Sequence, residues 1–237
     1  MTDGIGLLGF GEGGWGAALL VAATVTALLS IAGFAAGVLF GGAAAAGRLC
    51  AVPPLRFLAS VYGVVFRGVP DLLTIYLLYY GGSIALTAFD HALGGAGFVG
   101  LPTFAAGVFA IGIISGAYQS EVYRGAYLAI DPGQTDAGRA LGLSHWQRLR
   151  LVMMPQLLRH ALPGLGNVWQ LVLKDSALIS VIGLVELMRQ AQIASGSTRE
   201  PFIFYTAAAF LYFAIALITG QVFRLAELRV WRGARGA

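Results

Sequence analysis

The chain has 237 residues, of which 58% are hydrophobic and 11% charged, with a formal net charge of +4. Soluble domains carry about 25% charged residues, so this composition excludes an ordinary water-soluble globule. The basic balance does not mark a nucleic-acid binder either. Lys174 is the only lysine, and the arginines gather at segment ends, which is a pattern of membrane orientation rather than a phosphate-binding stripe.

One helical span takes about 20 apolar residues, and about five such segments fit this chain. The first charges are Asp3 and Glu12. A start without a basic stretch argues for a retained first segment rather than a cleaved signal. That first span is expected over 15–42, with Gly33, Gly37 and Gly41 four residues apart. Small residues so placed let helices approach closely, either within the chain or against another subunit. Pro53-Pro54 marks a break, and Cys50, the only cysteine, excludes an intrachain disulfide and a cysteine-based metal site.

A second span is expected over 57–83, interrupted at Arg67-Gly68-Val69-Pro70-Asp71, where proline removes a donor and disfavours helix just before it. A glycine-rich loop with Asp90 and His91 should follow over 84–101. The third span, 102–130, turns polar at Tyr118, Gln119, Ser120, Glu121 and Arg124.

The stretch 131–159 is not a span. Asp131, Pro132 and Gln134 carry cap, first-position and capping-box signals. Gly142 suits a bend, Ser144 and Gln147 repeat the capping-box spacing, and Pro155 should end the run. Two short helices around a glycine bend are expected. A fourth span, 161–187, is interrupted by Asn167, Gln170, Lys174, Asp175 and Glu186. The fifth covers 202–222.

With the N-terminus outside, the inner loops hold Arg48, Arg56, Arg139, Arg148, Arg150, Arg159, Arg224, Arg229, Arg232 and Arg235. The outer loops hold Arg189 and Arg199. Ten against two predicts five spans, N-out and C-in.

Much chemistry is excluded. The sequence has no G-x-x-x-x-G-K-[ST] loop for nucleotide phosphates and no H-E-x-x-H zinc motif. His91, His145 and His160 fall on both sides of the membrane, so no metal site is expected. Intramembrane proteolysis would need a nucleophile with its base, or paired aspartates, in the spans. Asp71 and Asp175 could be forced into that role, but Lys174 beside Asp175 makes charge pairing the simpler expectation. In the 131–159 loop, Ala137, Gly138, Ala140 and Gly142 would let a helix seat in a partner's groove. Leu141, Trp146 and Leu149 offer apolar anchors. A helix lying on the membrane surface is the other reading of those residue types.

The run Asp136-Ala137-Gly138, then Gly142, then Val152-Met153-Met154-Pro155, resembles the EAA loop of bacterial ABC importer permeases. Arg67-Gly68-Val69-Pro70, the run from Ala117 to Gly125, and Leu173 to Ser180 are similar to elements of the polar amino-acid group of that family (histidine, glutamine, arginine, opine). Arg67 to Leu73 and Gly196 to Pro201 look most like its Q-type subunits. The resemblance extends from about Trp15 to the tail.

It implies an all-α type I importer permease in the bacterial cytoplasmic membrane, with Asp136, Ala137, Gly138, Ala140, Leu141, Gly142 and Pro155 as the coupling element. It further implies a cytoplasmic ATPase dimer that uses ATP and Mg, a second permease subunit (identical or sister), and a periplasmic solute-binding protein. This chain itself would hold no cofactor and be no enzyme. Charged residues inside a membrane usually face an interior or a cavity, so Asp71, Glu121, Lys174, Asp175 and Glu186 are the candidate solute path. The alternative is that Lys174 pairs with Asp175 or Glu121 as structural glue and that Glu121 sits with Arg124 at the membrane interface. The acidic groups lean toward basic amino acids or opine-like solutes. An ion-coupled transporter and a non-transporting scaffold compete with the importer.

Overall fold

The computed structural model describes residues 6–11 and 13–232. Asp3, Glu12 and Arg235 lie outside the described residues. Nine helices are labelled here in chain order: α1 Gly16–Leu49, α2 Pro53–Gly68, α3 Asp71–Ala92, α4 Thr103–Leu128, α5 Pro132–Ala140, α6 His145–Gln147, α7 Met154–Asp175, α8 Leu187–Thr198 and α9 Pro201–Arg232. A π-helical turn, Arg148–Met153, joins α6 to α7, and a 3-10 turn, Ser176–Ile182, follows α7.

Four helices are long and apolar enough to cross a membrane: α1, α3, α4 and the Pro201–Val230 part of α9. At 34 residues, α1 is about 51 Å long, well beyond a hydrocarbon core of roughly 30 Å. The expected second span is two helices, because Val69 and Pro70 are extended between α2 and α3. α3 then runs on to Ala92, through much of the expected loop. Ala85, Leu86, Ala88 and Ala92 are good helix formers. Ser83 and Thr87 hold the true loop by accepting from the backbone N–H of Leu101 and Val99 at 3.2 and 3.0 Å.

The expected fourth span is not one apolar helix. α7 carries Gln156, Arg159, His160, Asn167, Gln170 and Lys174, and it breaks after Asp175 into the 3-10 turn. Pro155 does not end the run. It sits in the first turn of α7, directly after the π-helical turn. A local π adjustment of this kind re-routes the ladder where proline offers no donor.

The centre of the fold is the α1–α4 pair, and its cause is the glycine stripe. A Cβ added at Gly33 would lie 2.6 Å from Ile111 Cγ2, at Gly37 2.2 Å from Ser115 Oγ, and at Gly41 2.8 Å from the Gly116 carbonyl oxygen. The stripe therefore serves packing inside this chain. Around it Leu29, Ile75, Ile111, Ile114, Val172 and Ile179 form a buried core drawn from α1, α3, α4, α7 and the 3-10 turn.

One end of this pair carries a charge cluster. Glu121 on α4 accepts from Arg67 Nη2 of α2 at 2.8 Å and from Arg124 Nε at 3.0 Å, and it also pairs with Arg48 of α1. Its side chain is only 24% exposed. One carboxylate thus ties three helices together. Removing one member of such a set leaves charges without compensation. Glu121→Gln should lower stability by about 2 kcal/mol, read as an earlier thermal unfolding transition in detergent micelles. Superimposable melting curves would contradict the structural role.

Candidate coupling hairpin and interior polar groups

The stretch 131–159 folds as a helical hairpin. Asp131 caps α5, its Oδ1 accepting from Gly133 N at 2.7 Å, with Pro132 at the first helical position. Gln134 does not complete a capping box. Its Oε1 instead accepts from Gln156 Nε2 across the hairpin at 3.4 Å. Gly142 makes the bend at φ +72°, in the left-handed region that side chains resist. Ser144 and Gln147 do form both arms of a capping box at the start of α6.

The hairpin turns Asp136, Ala137, Ala140, Leu141, Gly142 and Pro155 outward. Leu141 is 79% and Trp146 66% exposed, while Leu149 is half-buried. Asp136 pairs with Arg139 at 3.0 Å. Gly138 does not belong to the outward face. It is buried beneath the stem of Arg148, whose Cγ would lie 3.0 Å from an added Cβ.

The interior polar residues separate into two groups. Glu186 is fully buried and caps α8. Its carboxylate accepts from Met188 N at 2.9 Å, Arg189 N at 2.8 Å, Tyr212 Oη at 2.7 Å and Thr26 Oγ1 at 3.4 Å. Thr26 in turn accepts from Leu187 N at 3.0 Å. This network joins α1, α8 and α9 and leaves Glu186 no free side. Glu121 is likewise saturated by its three arginines.

Asp71 and Asp175 differ. Neither has a hydrogen bond or ion pair among the described residues. They lie close enough for their charges to interact, and Tyr118 feels both as well as Arg67. Asp175 is only 8% exposed. The expected Lys174–Asp175 pair is not a direct ion pair among the described residues, although the Lys174 charge still acts on Asp175 as that of Asp71 does. Lys174 is exposed and lines a groove of about 430 Å³ between α7 and α9 with Gln170 and Tyr212. Adjacent helical residues point about 100° apart, so neighbours in sequence need not meet. His91, His145 and His160 do not converge, and no group of three metal-ligating side chains occurs among the described residues.

Sequence reasoning missed Arg48 and Arg67 as partners of Glu121. Only the spacing of Glu121 and Arg124 signals a contact; the other two partners are 73 and 54 residues away.

Comparison with known proteins places this geometry. Residues 37–232 match the family described as binding-protein-dependent transport system inner membrane component. The octopine transport system permease protein OccQ of Rhizobium radiobacter is 53% identical over 96% of each chain. The nopaline transport system permease protein NocQ of Agrobacterium fabrum is 44% identical over 97% of this chain and 98% of its own. The histidine/lysine/arginine/ornithine permease protein HisQ of Salmonella typhimurium is 35% identical over 94% of this chain and 98% of its own. Among solved structures, an amino acid ABC transporter determined with histidines superposes with a TM-score of 0.74 at 35% identity, covering 89% of this chain and 93% of that one. The family match and the relatives agree with the helical hairpin and the apolar helices: this chain belongs to the inner membrane components of binding-protein-dependent transport systems.

Proposed function

We propose that this chain is one permease subunit of an ATP-driven importer for basic amino acids or opine-like solutes in the bacterial cytoplasmic membrane. The observation that carries the reading is the hairpin. It is bent at Gly142 and presents Leu141 and Trp146 at 79% and 66% exposure among the described residues. Apolar anchors around a tight helical bend suit capture by another protein's groove. The partner is a cytoplasmic ATPase dimer, which supplies ATP and Mg chemistry, while this chain hydrolyses nothing. A second permease subunit, identical or sister, and a periplasmic binding protein complete the assembly. The arginine asymmetry supports an orientation with the hairpin and C-terminus inside.

The substrate class rests on Asp71 and Asp175. Two carboxylates that form no hydrogen bond or ion pair among the described residues, close enough for their charges to interact, suit an incoming guanidinium or ammonium group. The names of the relatives (octopine, nopaline, histidine/lysine/arginine/ornithine) point the same way. Lys174, on another side of α7, would face a neighbouring subunit or the path from α9.

In operation, ATP-driven closure of the ATPase pair would move the hairpin, and α7, continuous with it through the π turn, would carry the motion to Asp175. The path would thereby be exposed alternately to the two sides.

Mild solubilisation should recover a P-loop ATPase with the wild-type chain. Gly142→Val places a β-branched residue at positive φ, a strain of roughly 1–3 kcal/mol, and should reduce ATPase recovery about tenfold; undiminished recovery would remove the hairpin from coupling. In proteoliposome uptake, Asp175→Asn and Asp71→Asn should each raise the KM for arginine or octopine about tenfold, the size of one lost charged hydrogen bond. Unchanged KM and maximal rate in both would take the two acids out of the path.

A further inference from the structure

The hairpin encloses a second feature that the coupling reading does not use. Between the end of α1 and the hairpin lies a cavity of about 540 Å³. Its ionisable side chains are Arg139 of α5, His145 of α6 and Arg148 of the π turn, with Cys50 at the end of α1 and Tyr127 at the end of α4, and no carboxylate lines it. Arg139 shares its guanidinium with Asp136 outside the cavity wall. Arg148 does not share: its stem is held over Gly138, and its buried Nε has no hydrogen-bond partner among the described residues. A buried donor left unmade is costly, and here it stands in a basic pocket that wants an acceptor with negative charge.

This pocket continues into an apolar groove. Ala46 and Leu49 border both the cavity and a groove of about 360 Å³ that follows α1 back to Val38 and is closed by Met154, Leu157 and Leu158 of α7. The one polar side chain along it, Tyr123, donates its hydroxyl to Gln119 Oε1 at 2.9 Å. Val38 to Leu49 is about 16 Å of helix, so the groove runs from the basic pocket well into the depth of an apolar span.

A basic pocket opening directly onto an apolar groove, at the inner end of membrane helices, matches a molecule with an anionic head and a hydrocarbon tail. We propose that the two together bind one anionic phospholipid of the inner leaflet. Its phosphate sits on Arg148, Arg139 and His145, and one acyl chain lies along α1 past Gly42. A free phosphate would leave the groove unused. Of the hairpin's apolar anchors, the exposed Leu141 and Trp146 line neither space and only the half-buried Leu149 borders the cavity, so lipid and ATPase can be bound together. The lipid would tie the root of the hairpin to α1 and make the coupling element sensitive to membrane composition. The proposal rests on the hairpin facing the cytoplasm, and its test reads binding without requiring transport.

The test is native mass spectrometry of the intact transporter complex, with phosphatidylglycerol or phosphatidylcholine added. We expect one phosphatidylglycerol retained per copy of this chain in preference to phosphatidylcholine. Arg148→Gln keeps much of the stem over Gly138 but loses the charge, and should cut retention about fivefold. Arg148→Lys should keep most of it. Ala46→Phe, at an exposed position where pocket and groove meet, should cut it as Arg148→Gln does. Equal retention of the two lipids would overturn the proposal, as would retention unchanged in Arg148→Gln and Ala46→Phe, or displacement of the lipid by inorganic phosphate alone. Transport could fail for other reasons without moving any of these readings.

Discussion

A charge held among apolar helices is costly unless it is compensated, and the hydrocarbon around it offers no countercharge. Glu121 meets this constraint for three helices at once. The glycine stripe of α1 brings its backbone against α4, which places Arg48 beside Glu121. α2 climbs the same pair, with Tyr62 donating to the Ile113 carbonyl at 2.6 Å, and so delivers Arg67 to the same carboxylate. The cluster forms only where the glycines permit close approach, and it closes the end of the bundle from which the hairpin departs.

The same constraint separates structure from function among the other interior charges. Glu186 spends its acceptor capacity on a helix cap, a tyrosine and a threonine, and so joins α1, α8 and α9. Asp71 and Asp175 form no side-chain hydrogen bond or ion pair among the described residues. A buried carboxylate without a partner is expensive to keep, and a site that receives a cationic solute is one place where that cost is useful. Family membership displaces the ion-coupled and scaffold alternatives, and the hairpin gives the importer reading its mechanical element.

Much of this was legible in the sequence where one local signal decided the outcome. Asp131, Gly142 and the Ser144/Gln147 box specify the hairpin because caps and positive-φ bends act within a few residues. The break at Val69-Pro70 was visible for the same reason. What escaped depended on tertiary contact or on the balance of a whole segment. Gly138 reads as part of a docking face until Arg148 is seen lying over it. Lys174 reads as the ion-pair partner of Asp175 until the helix turns their head groups out of contact, leaving only a longer-range attraction. Pro155 reads as a stop until the π turn accommodates it. The loop expected from 84 onward became helix as far as Ala92 because that stretch holds alanines and a leucine and no glycine; the glycines at 94, 95, 97 and 100 come only after the helix has ended.

The central claim is that interior carboxylates with protein partners hold the fold, while those without them face the solute. Substituted-cysteine accessibility tests it most directly. With Cys50 replaced by alanine, single cysteines at positions 71, 175 and 186 would be exposed to a charged methanethiosulfonate in the assembled transporter, with and without arginine or octopine. The account predicts that positions 71 and 175 react and are protected by the solute, while position 186 stays unreactive. Equal reaction at 186, or no protection at 71 and 175, would contradict it.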